Sequence, residues 1–132
     1  MLKYLLDTNI VIYVIKRRPV EILGTFNSNT GKMAVSSITE AELYYGAERS
    51  QRPDENALVV EEFLSHLTVL SYDSKAAQHF GNIKADLAQK GSLIGENDLH
   101  IAAHARSCGL ILVSNNVREF QRVPNLMLEN WI

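Results

Sequence analysis

The sequence predicts an α/β sandwich of three layers: a mostly parallel sheet with helices on both faces. Three observations carry this. Tyr4-Leu5-Leu6 and Leu110-Ile111-Leu112-Val113 are short runs without polar alternation, and such runs read as strands buried on both sides, the habit of parallel sheets. Helical segments separate the apolar runs along the chain. Polar residues follow each run at once, Asp7-Thr8-Asn9 after the first and Ser114-Asn115-Asn116 after the last. Both groups therefore mark the carboxyl edge, outside which open α/β sheets form their ligand crevice.

The elements follow in order. Tyr4 to Leu6 is the first strand. Thr8 or Asn9 can cap a helix through Ile10 to Lys16, closed by Lys16-Arg17-Arg18 and Pro19. A second short helix covers Val20 to Phe26, a loop Asn27 to Gly31, and a strand Lys32 to Ser36. The next helix opens on two overlapping capping boxes, Ser37 with Glu40 and Thr39 with Glu42. If Ser37 caps, Glu42 is left free on the face of Ile38, Ala41 and Tyr45, an acid inside an apolar stripe. Arg49 to Asn56 is a polar stretch holding Pro53, and a helix through Leu58 to Leu67 follows. Thr68 to Leu70 is a third strand. Ser74 caps a helix over Lys75 to Lys90, stopped by Gly91.

Asn97 is the expected cap of the last long helix, with Gly109 at its end. Asp98 then lies in the first turn, where the helix dipole favours an anion by up to about 1 kcal/mol. It also shares the face of Ile101, Ala102 and Ala105, so it points inward. Leu110 to Val113 is the clearest strand and the expected centre of the sheet. A short helix around Arg118 to Gln121 and an edge strand at Leu126 to Leu128 complete the chain.

The composition narrows the function classes. With 132 residues, 46% hydrophobic and 21% charged, residues 1–132 fit one ordinary globular domain. The longest apolar run, Ile10 to Ile15, is too short to cross a bilayer, and Asp7 interrupts any signal-peptide pattern. Cys108 is alone, which fits a cytoplasmic setting and a small buried residue. The net charge of −2 is not that of a dedicated non-specific nucleic-acid binder. Local basic clusters (Lys16 to Arg18, Arg49 with Arg52, Arg118 with Arg122) would have to meet any RNA. His100 and His104 have the i, i+4 spacing of zinc ligands but no third ligand, and read as surface residues. Tyr44 and Tyr45 are adjacent, so one belongs to the core and the other faces outward.

Asp7, Glu42 and Asp98 come from distant parts of the chain, each in apolar surroundings. Brought together they repel, and each would sooner protonate than stay buried and charged. A divalent cation removes that conflict. Carboxylate and water ligands select a hard ion, Mg²⁺ or Mn²⁺.

Four stretches make the chain recognisable. Leu6-Asp7-Thr8-Asn9, Ser37 to Leu43 with Gly46, Ile94 to Asp98 with Ile101-Ala102-Ala103, and Ser114-Asn115-Asn116 with Arg118-Glu119-Phe120 resemble the PIN-domain ribonucleases. More narrowly, the chain resembles a VapC-type toxin of a bacterial toxin–antitoxin pair, from Met1 to Trp131. The resemblance implies a PIN-like sandwich, a Mg²⁺-dependent endoribonuclease, a homodimer and neutralisation by a VapB-type antitoxin. It implies Asp7 and Asp98 as direct metal ligands and Glu42 as a third acid, direct or through water. The RNA substrate it implies first is a tRNA cut in the anticodon loop. Many PIN domains carry an aspartate where this chain has Asn116, an amide that can orient water but adds no charge. Glu119, one helical turn on, is placed to compensate. Thr8 and Ser114 read as groups that hold the carboxylates and waters.

Two other readings compete. A small-molecule phosphohydrolase would use Asp7 as a covalent nucleophile, but that chemistry usually wants an acid two residues on, where Asn9 stands. A non-catalytic module would use its acids only to bind a partner and would show no metal-dependent cleavage.

Overall fold

The computed structural model describes residues 1–132. Five strands form one sheet: β1 (Tyr4–Leu6), β2 (Met33–Ser36), β3 (Thr68–Leu70), β4 (Ile111–Val113) and β5 (Leu128–Glu129). Their order across the sheet is β3-β2-β1-β4-β5, and every neighbouring pair is parallel. The centre is therefore β1, and β4 lies between it and the edge strand β5. The expected central place of Leu110 to Val113 is corrected: β4 is as apolar as β1, and run composition cannot rank two buried strands.

Seven helices connect the strands. α1 (Thr8–Lys16) and α2 (Glu21–Ser28) lie between β1 and β2. α3 (Ser37–Glu48) and α4 (Pro53–Leu64) lead to β3, and α5 (Ser74–Gln89) and α6 (Glu96–Cys108) lead to β4. The short α7 (Val117–Phe120) precedes β5. The helix expected from Leu58 begins earlier because Pro53 occupies its first turn, where a missing N–H costs nothing.

Alternation along β1 divides the core. Tyr4 and Leu6 face one side, with Ile10, Val11, Ile22 and Leu43, while Leu5 faces the other, with Ile83, Leu99, Ile101 and Phe120. Leu5 and Leu6 are both fully buried, which accounts for an apolar run with no polar alternation. The result is the expected three-layer sandwich. The chain leaves β1 for β2 on one side and reaches β4 on the other, so the sheet's order switches direction at β1 and β4. A crevice opens at such a point.

Four helix starts are set one or two residues away from their expected caps. Asp7 itself caps α1, accepting from the Thr8 N–H at 2.8 Å. Ser36 caps α3, accepting from the Ile38 N–H at 3.0 Å, so neither expected capping box forms. Asp73 caps α5, accepting from the Ala76 N–H at 3.0 Å. Gly95, without a side chain to offer, occupies the cap position of α6, which frees Asn97 for another partner.

Candidate active site at the carboxyl edge of the sheet

Adjacent strand ends build the first half of the site. Leu6 pairs with Val113, so the next residues, Asp7 and Ser114, stand side by side past the ladder. The Asp7 N–H continues the pairing to the Val113 carbonyl at 2.9 Å. The Asp7 side chain is only 4% exposed, and both its oxygens are engaged. Oδ1 accepts from the Thr8 N–H and Oδ2 from the Ser114 hydroxyl, each at 2.8 Å. Ser114 Oγ in turn accepts from the Asn116 N–H at 2.9 Å. Burial pushes the Asp7 carboxyl above its ordinary range, the two donors oppose this, and the charge of Glu42 adds to it.

The first turn of α6 brings the second acid. Asp98 is half-buried and receives one long hydrogen bond, from Asn116 Nδ2 to Oδ2 at 3.4 Å. Its pKa is pushed up to about 6 by burial first, then by the charges of Asp7, Glu119 and Glu42. Asp98 thus feels the charge of three other acids at this edge. Asn116 serves here as a donor to Asp98, where a fifth carboxylate would have added repulsion.

Glu42 enters from α3 and bridges the other two helix starts. Thr8 Oγ1 donates to its Oε1 at 2.7 Å, and Asn97 Nδ2 donates to its Oε2 at 3.1 Å. Thr39 Oγ1 lies 3.0 Å from Thr8 Oγ1 and completes the chain of polar contacts. The residue beside Asp7 and the residue beside Asp98 are thus tied through one carboxylate. The expectation that Glu42 sits in the buried stripe is corrected. The buried face of α3 is Thr39, Leu43 and Ala47, while Ala41 and Tyr45 are exposed. Helical periodicity identified residues sharing a face, but not which face meets the core.

A groove of about 800 Å³ opens beside this bridge, lined by residues of α1, α3 and α4 together with Asn97. Thr8, Glu42 and Asn97 lie at its polar end, Ile12, Ile38 and Val59 on its apolar walls, and Lys16, Tyr45 and Arg49 along it.

Sequence reasoning brought Asp7, Thr8, Glu42, Asp98, Ser114, Asn116 and Glu119 to this edge, and the structure gathers all seven. It missed Asn97, taken as a cap, and Thr39, taken as a capping-box member. It also misplaced two histidines and a thiol. His104 is 1% exposed, with Nδ1 2.8 Å from Ser36 Oγ. Ser36 Oγ also accepts from the Ile38 N–H, so it joins His104 to the start of α3. Burial lowers the His104 pKa, and the charge of Asp73 partly opposes this. His100 stacks on Phe80 at 4.1 Å and meets the Tyr72 hydroxyl at 2.8 Å. Both histidines pack α6 against its neighbours instead of lying on the surface. Cys108, expected to be buried, is exposed at the last residue of α6.

No three acidic, histidine or cysteine side chains stand close enough to complete a cage alone. Mg²⁺ needs no such cage: it keeps several waters and takes one or two protein carboxylates. Oxygen-only donors, with Asp98 raised by the charges of its acidic neighbours, fit a hard dication.

The comparison with known proteins decides the family. The PIN domain family profile matches residues 4–126. This chain belongs to the PIN-domain family. Within it, the PIN domain is 71% identical to the ribonuclease VapC2 of Haemophilus influenzae over 132 residues, the whole of both chains. It is 53% identical to the tRNA(fMet)-specific endonuclease VapC of Shigella flexneri over 131 residues, 99% of each. The PIN domain superimposes on a chain of the DNA-bound VapBC structure from Salmonella typhimurium with a TM-score of 0.96, at 52% identity and full coverage of both. A chain of the FitAcB structure from Neisseria gonorrhoeae, 22% identical, shares the fold with a TM-score of 0.86 and 97% coverage of each. This PIN domain is accordingly an enzyme of the VapC ribonuclease kind. No helix in it is long and apolar enough to cross a membrane.

Proposed function

We propose that this ribonuclease is a Mg²⁺-dependent endoribonuclease toxin, with Mn²⁺ able to substitute, that hydrolyses a phosphodiester bond in a structured RNA. The observation that carries the reading is the meeting of Asp7 and Asp98. Burial raises both carboxyls above their ordinary range, and the charge of Asp7 adds to the rise at Asp98. A dication bound there supplies charge neutralisation at the phosphate and a more acidic water.

The chain's own residues do the rest. Ser114 and the Thr8 N–H fix the Asp7 carboxylate in one orientation. Asn116 orients Asp98. Thr8 and Asn97 fix Glu42, which acts directly on the dication or through water. Glu119 stands near enough to Asp98 to add negative charge on that side. Cleavage by an activated water leaves a 5′-phosphate and a 3′-hydroxyl.

The substrate we infer is a tRNA, cut in its anticodon loop, in the cytoplasm. Support comes from the relative described as tRNA(fMet)-specific, 53% identical over 99% of both chains. The partners we infer are a second copy of the chain, in a homodimer, and a VapB-type antitoxin. Support for the antitoxin comes from neighbours solved as VapBC complexes, at 52%, 38% and 36% identity.

The test is cleavage of total tRNA by the purified full chain, followed by sequencing of the RNA ends. Cleavage that stops in EDTA and returns with Mg²⁺ or Mn²⁺ is expected. Undiminished cleavage in EDTA would overturn the metal reading, and no cleavage with either ion would overturn the reaction.

A further inference from the structure

Beyond Glu42, α3 and its C-terminal cap residue carry two side chains that the acids do not use. Tyr45 is 68% exposed, and it is the one aromatic among the large exposed apolar residues. The Arg49 guanidinium carbon lies 5.4 Å from the Tyr45 ring centroid, one helical turn further on. Arg49 takes part in none of the chain's four ion pairs. Both residues line the groove whose polar end is Thr8, Glu42 and Asn97.

The spacing suits a nucleic-acid strand. At about 1.5 Å of rise per residue, Tyr45 lies about 4.5 Å and Arg49 about 10 Å beyond Glu42 along the helix axis. A base next to the scissile phosphate can reach Tyr45, and the following phosphate can reach Arg49. Every base has a π-face, and sequence-specific RNA recognition targets loops whose bases can be splayed onto aromatic and guanidinium planes.

We propose that Tyr45 and Arg49 form a nucleobase-stacking and phosphate-holding subsite for the unpaired RNA strand beside the cleaved bond. This deepens the endoribonuclease reading and rests on it. The occupant is argued from charge and continuity. Two cations without carboxylate partners, Lys16 and Arg49, line a groove that reaches Glu42, the acid tied to the helix starts beside Asp7 and Asp98. That suits a phosphodiester strand entering the site. An apolar peptide would fill Ile12, Ile38 and Val59 but leave both cations unmatched.

The test uses the full chain carrying Asp7→Asn, so that RNA binds without being cut. Its affinity for a fluorescein-labelled tRNA anticodon stem-loop is read by anisotropy in Mg²⁺, and cleavage is read in the otherwise wild-type chain. Tyr45→Ala is expected to weaken binding about 10- to 100-fold, with Tyr45→Phe within about twofold of the parent. Arg49→Gln is expected to weaken binding and to lower the salt dependence by about one phosphate contact. In cleavage, the Tyr45→Ala loss falls on KM. An abasic site next to the cut reproduces that loss, and Tyr45→Ala then adds nothing. Thermal melting stays unchanged, because Tyr45 packs against nothing that holds the core.

Wild-type affinity and KM for Tyr45→Ala, in a chain that still cleaves, would overturn the subsite and leave the nuclease reading standing. Loss of the dimer or of antitoxin binding, with RNA binding intact, would assign this face to a protein and likewise overturn it. A parent chain that neither binds nor cuts RNA would overturn both.

Discussion

The end of β1 and the start of α6 each present an aspartate to the same crevice, but they hold it differently. Asp7 is almost wholly buried and has a short hydrogen bond on each oxygen. Asp98 is half-buried, has one long hydrogen bond, and is pushed up to about 6 by burial and by three neighbouring acids. The first carboxylate is fixed by the protein whatever else is bound. The second is underheld, and under the proposed metal-dependent reaction a cation is the partner that would complete it. In that reading, one anchored and one responsive carboxylate would hold an ion that must also leave room for water and phosphate.

The largest effect should come from neutralising either acid. Asp7→Asn and Asp98→Asn are each expected to lower the cleavage rate by at least about 100-fold at saturating Mg²⁺, a loss of about 2.7 kcal/mol or more of transition-state stabilisation. Initial rates on a gel decide this, and near-wild-type rates in either variant would break the comparison at its root.

Ser114→Ala tests the anchoring of Asp7. It removes the donor to a buried carboxylate and the acceptor of the Asn116 N–H together. A loss of about 1–3 kcal/mol in urea unfolding is expected, with activity reduced about 10-fold or more. The equivalent loss at Asp98, from Asn116→Ala, should be smaller, because that hydrogen bond is long.

Without metal, Asp98→Asn should stabilise the fold at neutral pH. The Asp98 pKa is raised in the folded state, so folded protein binds the proton more tightly than unfolded chain does. Its contribution is fully present below the ordinary carboxylate value near 3.8 and is lost as pH rises through about 6. In EDTA the variant should therefore melt roughly 3–8 °C above wild type at pH 7.5 and no higher at pH 4. Added Mg²⁺ should reverse the order at pH 7.5. An equal gain at both pH values would show that the charge is not what costs stability.

The smallest effect is at His104, with the opposite sign. Its pKa is lowered in the fold, so unfolded chain binds the proton more tightly. Stability is complete above the ordinary value near 6.5 and declines as pH falls below it. His104→Asn should lose overall stability yet show a shallower decline between pH 7 and pH 5 than wild type, read from urea midpoints. A parallel decline would remove His104 as its source.

The sheet, its helices and the three acids were legible because buried strands and the residues that end them leave a one-dimensional trace. Leu5 and Leu6 read as two-sided burial from their neighbours alone. The caps were not legible to the residue. Asp7-Thr8-Asn9 and Ser36-Ser37 each offer several good capping residues in a row, and only backbone angles choose among them. Asn97 was hidden for the same reason: its amide suited a cap, and its partner Glu42 is 55 residues away. His104 looked exposed because nothing local pairs with it; its partner Ser36 is 68 positions away. The groove could not be seen at all, since it depends on which face of α3 turns from the core.

The bond between Ser114 and Asp7 joins residues 107 positions apart. A ribosome must therefore finish nearly the whole chain before the first catalytic acid gains its clamp. A chain that stops short of Ser114 therefore lacks the hydroxyl that holds Asp7 Oδ2.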